Sequence, residues 1–122
     1  MLIQSGGGDV FAANAIYNAL ILNKATITGT IIGVCASAAT VILMACKNRK
    51  IAKNAILMVH DPATVLRGSY TSEELMKLVE ATDKVKKSIV TAYMDRLDKT
   101  EEEIYQLMDA ESWYVGQEAV DA

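Results

Sequence analysis

The sequence predicts an α/β domain built on a largely parallel sheet, and three observations predict it. Short apolar, strand-like runs alternate with segments of helical periodicity. The stretch from Ala25 to Cys46 changes character halfway, from β-branched and glycine-punctuated to alanine-rich, the mark of a buried strand followed by a buried helix. The chain's 122 residues suit one domain, 1–122.

The elements follow in order. Met1 to Gln4 is an apolar strand stopped by Ser5-Gly6-Gly7-Gly8, after which Asp9 stands at the N-cap of a helix with apolar Val10, Phe11, Ile16, Tyr17, Leu20 and Ile21. Beyond Asn23-Lys24 comes the strand from Ala25 to Gly33, a turn over Gly33 to Ala36, and a helix to Cys46 closed by polar Lys47-Asn48-Arg49-Lys50. Ala55 to His60 reads as a strand that ends at Asp61-Pro62, since proline has no N–H for a ladder. A loop, Ala63 to Tyr70, leads to the longest helix, opened by Thr71 or Ser72 and running to about Leu97. At 1.5 Å per residue it is about 40 Å long.

Leu75, Leu78, Thr82, Val85, Ile89 and Ala92 form one stripe on that helix. Two readings stand: the stripe meets a partner subunit, or it packs on the chain's own sheet. A helix from Thr100 to Met108 and a segment from Gly116 to Ala122 complete the pattern, with four short strands in all. Because the sequence opens directly on a strand and stops in mid-pattern, we expect a truncated domain or one completed by neighbouring subunits.

Composition excludes several classes. With 52% hydrophobic and 22% charged residues the chain is neither disordered nor collagen-like. Twelve basic against fifteen acidic residues give a net charge of −3, and the densest basic group is only Lys47, Arg49 and Lys50, so nucleic acid is not a primary partner. The twenty-two uncharged residues from Ala25 to Cys46 are long enough to span a bilayer, but their change of character favours a buried strand and helix. Cys35 and Cys46 read as small core residues, and with His60 alone beside them no zinc set can be assembled. We expect no metal, no cofactor, no membrane span and, with no basic leader segment, a cytoplasmic location.

Three places could carry chemistry. The glycine run precedes a helix, but no Gly-Lys-Ser/Thr follows and Asp9 would repel a phosphate. Such a turn either closes tightly from strand to helix or presents bare N–H groups to an oxyanion. Ser37 lies at a strand-to-helix junction, where it is a helix cap or a nucleophile; the Gly-x-Ser-x-Gly elbow is absent. Cys35 has nothing basic beside it. His60 is the only histidine, so it is either a loop residue or the base for any activated hydroxyl. Asp109 and Glu111 are the acidic candidates to orient it, Asp61 being too near in sequence to bridge easily.

Taken in order, Ser5-Gly6-Gly7-Gly8-Asp9-Val10, Gly33 to Ala39 around Ser37, Met58-Val59-His60-Asp61-Pro62 and Glu111 to Val120 resemble the Clp protease proteolytic subunit family. The nearest variant is the phage and prophage type that acts in capsid maturation. The resemblance covers essentially the whole chain and implies a crotonase-like ββα spiral and a serine endopeptidase. It implies Ser37 as nucleophile, His60 as base and Glu111 as the acid, with Asp109 in reserve. The oxyanion hole would be the amides of Gly7 and Ala38, and the substrate would add as a strand beside Gly7 and Gly8. It further implies a ring or opposed double ring assembled through helix 71–97, hydrolysis that needs no ATP, and a separate ATPase unfoldase or a capsid protein as partner.

Three departures stand out: Gly6 where the family commonly has proline, Glu111 in place of aspartate, and no counterpart of the family's first strands and helix or of its last strand. Two rival readings share the fold. One is a catalytically silent, ring-forming scaffold subunit; the other is an acyl-CoA lyase or isomerase, which has no use for a Ser37–His60 pair.

Overall fold

The computed structural model describes residues 1–122. Its five strands are β1 (Leu2–Ser5), β2 (Thr28–Ala36), β3 (Asn48–Ile51), β4 (Ile56–Val59) and β5 (Ser112–Val115). The helices are α1 (Val10–Leu22), α2 (Ala38–Met44), α3 (Ser72–Met94), α4 (Glu101–Asp109) and α5 (Gln117–Asp121). This mixed α/β architecture fits the Clp-type fold that the motifs imply.

One long strand organises the sheet. β1 pairs parallel with β2, and so do both β3 and β4. β3 takes the first part of β2, from Thr28 to Ile31, while β4 takes its end, from Val34 to Ala36. β5 closes the far edge antiparallel to β4, with Ile56 opposite Val115.

Local chemistry starts the helices where the sequence places them. The Asp9 carboxylate accepts from Ala12 N–H at 3.0 Å. Thr71 and Thr100 each close a capping box, with Glu74 and Glu103 as the returning carboxylates. The core lies between the sheet and α2, α3 and α4, where Ile31, Val41, Val90, Ile104 and Met108 are buried. Cys35 and Cys46 are free and wholly buried, as small core residues.

The sheet corrects the sequence reading at three points. The strand placed at Ala25–Gly33 runs on to Ala36, so Ser37 alone separates it from α2. The polar Asn48-Arg49-Lys50 stretch is strand β3 and not the close of a helix, because β2 offers backbone partners whatever the side chains do; its residues are exposed, as suits a short charged edge. β5 makes five strands instead of four. The run from Ala25 to Cys46 divides between β2 and α2, and no helix is long and apolar enough to cross a membrane.

Only the far end of α3 enters the core. Ile89, Val90, Ala92 and Tyr93 are buried, whereas Leu75, Met76 and Val79, near its start, face solvent.

Candidate active site

The parallel pairing of β2 with β4 sets Ala36 against Met58, so both strands end at the same edge of the sheet. Open α/β sheets place their sites at such strand ends. Ser37 follows β2 directly and His60 follows β4 directly. Ser37 Oγ lies 2.8 Å from His60 Nε2, across 23 positions of sequence.

Ser37 occupies the N-cap position of α2 but makes no capping bond with its side chain. The cap reading of this residue therefore fails on geometry: the hydroxyl is turned to the imidazole. Its backbone is unusual, with φ 55° and ψ −129°, a left-handed conformation that costs a non-glycine residue on the order of 1–3 kcal/mol. Neighbours hold it there. Ser37 N–H donates to the Met58 carbonyl at 3.0 Å, and the Ser37 carbonyl accepts from Thr40 N–H at 2.9 Å and from the Thr40 hydroxyl. That hydroxyl also meets the buried Tyr93 hydroxyl of α3.

The glycine turn folds over this junction. Gly7 has φ +97°, and a Cβ there would fall 2.7 Å from the Ala36 carbonyl oxygen and 3.1 Å from Ala38 N. Only glycine permits so close an approach. Gly7 N–H donates to Ser5 Oγ at 3.2 Å, and Ala38 begins α2, where the first amides lack intrahelical partners. Gly8, at φ +144°, has open space where a side chain would project.

The acidic candidates do not join the pair. Glu111 lies exposed in the turn between α4 and β5 at φ 50°, and its carboxylate makes no hydrogen bond; the one side-chain bond of His60 is to Ser37. Asp109 and Asp61 are both held by Lys86 of α3, at 2.5 Å and 2.9 Å from Nζ. That hydrogen bond keeps the Asp109 carboxyl below its ordinary range. Burial works against the Lys86 ammonium, but its bonds to Asp109 and Asp61 outweigh it and raise the pKa. Burial pushes the Cys35 thiol up to about 12, so it is no rival nucleophile.

Ser37, His60, Gly7 and Ala38 thus meet at one surface edge. An apolar cavity of about 300 Å³, walled by Leu43, Leu57, Val59, Tyr93, Ile104 and Leu107, contains neither Ser37 nor His60. An open edge suits an extended chain better than a small enclosed ligand. Sequence reasoning missed Thr40, Tyr93 and Lys86, whose relation to the site exists only in three dimensions.

The profile of the family described as "Clp protease" matches residues 1–122. Among curated relatives, "ATP-dependent Clp protease proteolytic subunit 1" of Chlamydia abortus is 28% identical over 124 residues, covering 98% of this chain and 64% of its own length. "ATP-dependent Clp protease proteolytic subunit 2" of Bifidobacterium longum is 27% identical over 123 residues, covering 99% and 58%. The Chlamydia caviae subunit 1 is 28% identical, covering 98% and 64%. The chain therefore spans about three-fifths of the length of these relatives.

Proposed function

The chain belongs to the Clp protease family, and we propose that it is a serine endopeptidase in which Ser37 is the nucleophile and His60 the general base. The observation that carries this reading is the 2.8 Å approach of Ser37 Oγ to His60 Nε2 at a strained strand-to-helix junction. Strained residues of this kind cluster at active sites.

In the proposed reaction Ser37 Oγ attacks a peptide carbonyl while His60 Nε2 takes its proton, then returns it to the leaving amine. Water, activated by the same imidazole, releases the acyl group. The amides of Gly7 and Ala38 hold the tetrahedral oxyanion, each donor worth about 2.7–4 kcal/mol in such sites; Gly7 then exchanges its long bond to Ser5 for a charge-assisted one. The substrate lies along Gly7 and Gly8 as an added strand. Glu111 is the proposed acid, with Asp109 in reserve; either must move to reach the ring. Hydrolysis needs no cofactor, and unfolding of substrates falls to a separate ATPase.

We further propose a cytoplasmic homo-oligomer assembled through α3, which forms Ser72–Met94 of the expected 71–97 helix, and, on the motif resemblance, the phage and prophage type with a capsid protein as substrate. One observation favours the rival scaffold reading: no carboxylate orients His60. A fluorophosphonate probe separates the two. Labelling that maps to Ser37 and vanishes in Ser37→Ala supports the peptidase; assembly with no labelling supports the scaffold.

A further inference from the structure

We propose that Lys86 is a positioning residue for His60, holding the base in line with Ser37 from helix α3; the proposal rests on the peptidase reading above. The ladder of β4 ends at Val59, so His60 lies just beyond the bonds that orient the strand. Pro62 has no N–H to give, and the segment up to Tyr70 forms neither helix nor strand. Something else must fix the direction in which His60 leaves the sheet. The residue after it supplies that anchor: Asp61 brings both carboxylate oxygens to 2.9 Å from Lys86 Nζ.

The same ammonium reaches Asp109 at the end of α4, two positions before Glu111, and sits 4.9 Å from the Tyr105 ring. One side chain, only 17% exposed, therefore ties the His60 loop, α3 and α4 together. A second tie, Thr64 to Thr82 at 3.1 Å, joins the same loop to the same helix. Two turns further along α3, Tyr93 meets the Thr40 hydroxyl that supports the Ser37 carbonyl. Base and nucleophile are thus both referenced to one rigid helix. Without Lys86, Asp61 and Asp109 would face each other as unpaired like charges, and the loop would swing, carrying His60 with it.

An ordinary surface ion pair would affect stability alone, so the test reads geometry at the nucleophile. The rate of Ser37 phosphonylation by a fluorophosphonate and the steady-state cleavage of a peptide are measured in wild type, Lys86→Met and Lys86→Arg. We expect Lys86→Met to slow phosphonylation and kcat at least tenfold with KM within about twofold, and Lys86→Arg to recover most of the loss. Asp61→Asn breaks the same pair with an isosteric residue and should slow the reaction equally, which keeps the proposal testable should Lys86→Met fold poorly. Wild-type rates in Lys86→Met and Asp61→Asn, or losses that match a fall in folded fraction, would overturn it while leaving the peptidase reading intact. An unlabelled wild type defeats the peptidase reading itself and this proposal with it.

Discussion

A methyl group on Gly7 would lie 2.7 Å from the Ser37 Cβ, inside the distance that any two such carbons tolerate. The glycine turn and the Ser37 turn are therefore one packed unit, and Gly7→Ala must push them apart. We expect a loss of about 10²–10³-fold in kcat, the value of one oxyanion donor, with a lower unfolding midpoint. Gly6 has no neighbour within 4 Å of such a carbon. Gly6→Ala should keep kcat within about threefold, and comparing the two by peptide hydrolysis separates contact from general loop stiffness.

Ser37 holds a glycine-like conformation, so its substitutions should split stability from activity. Ser37→Gly removes the strain of φ 55°, about 1–3 kcal/mol, against about 0.5–1 kcal/mol for glycine's extra freedom in the unfolded chain. Denaturant unfolding should show a gain of about 1 kcal/mol for Ser37→Gly and no comparable gain for Ser37→Ala, with activity absent from both. A less stable Ser37→Gly would contradict the strained conformation.

Acid should weaken the fold through the capping boxes. Glu74 accepts from Thr71 N–H at 2.8 Å, and Glu103 from Thr100 N–H at 2.7 Å. These backbone bonds hold both carboxyls below their ordinary 4.5. A depressed folded value means the unfolded chain takes up protons first, so the stabilisation is present above about pH 4.5 and fades as pH falls through the lowered values. Thermal melts from pH 6 to pH 3 should fall below pH 4.5, with a shallower slope in the Glu74→Gln, Glu103→Gln double variant. Lys86 runs the other way. Its raised pKa makes the contribution full below 10.5 and lost as pH climbs beyond.

The solvent-facing start of α3 should govern assembly rather than folding. Met76 is 61% and Val79 60% exposed, so Met76→Glu and Val79→Glu should shift stability of the folded chain by no more than about 0.5 kcal/mol. In sedimentation velocity each should reduce the oligomer to smaller species. Unchanged sedimentation would remove this part of the helix from the interface.

Neither cysteine should react in the folded protein. Both are fully buried, and burial raises both thiols. Modification by a disulfide reagent should therefore proceed no faster than unfolding, and rapid reaction of one thiol in native buffer would contradict the packing of α2 on β2.

Short-range features are legible in the amino-acid sequence alone: Asp9, Thr71 and Thr100 cap helices through bonds spanning three residues, and the apolar run before Asp61-Pro62 forms strand β4, whose ladder stops at Val59. The glycine run, the serine junction and the single histidine are likewise local signals. The tertiary structure decided the rest, because each remaining feature depends on partners far along the chain. Asn48-Arg49-Lys50 becomes a strand only because β2 exposes backbone groups beside it. Ser37 and His60 become a pair only because the Ala36–Met58 register ends two strands together. Lys86 of α3 gathers Asp61 and Asp109, which lie 48 positions apart, while Glu111 makes no side-chain bond. Local chemistry marked the candidate groups, and strand register, a long-range choice, determined which of them meet.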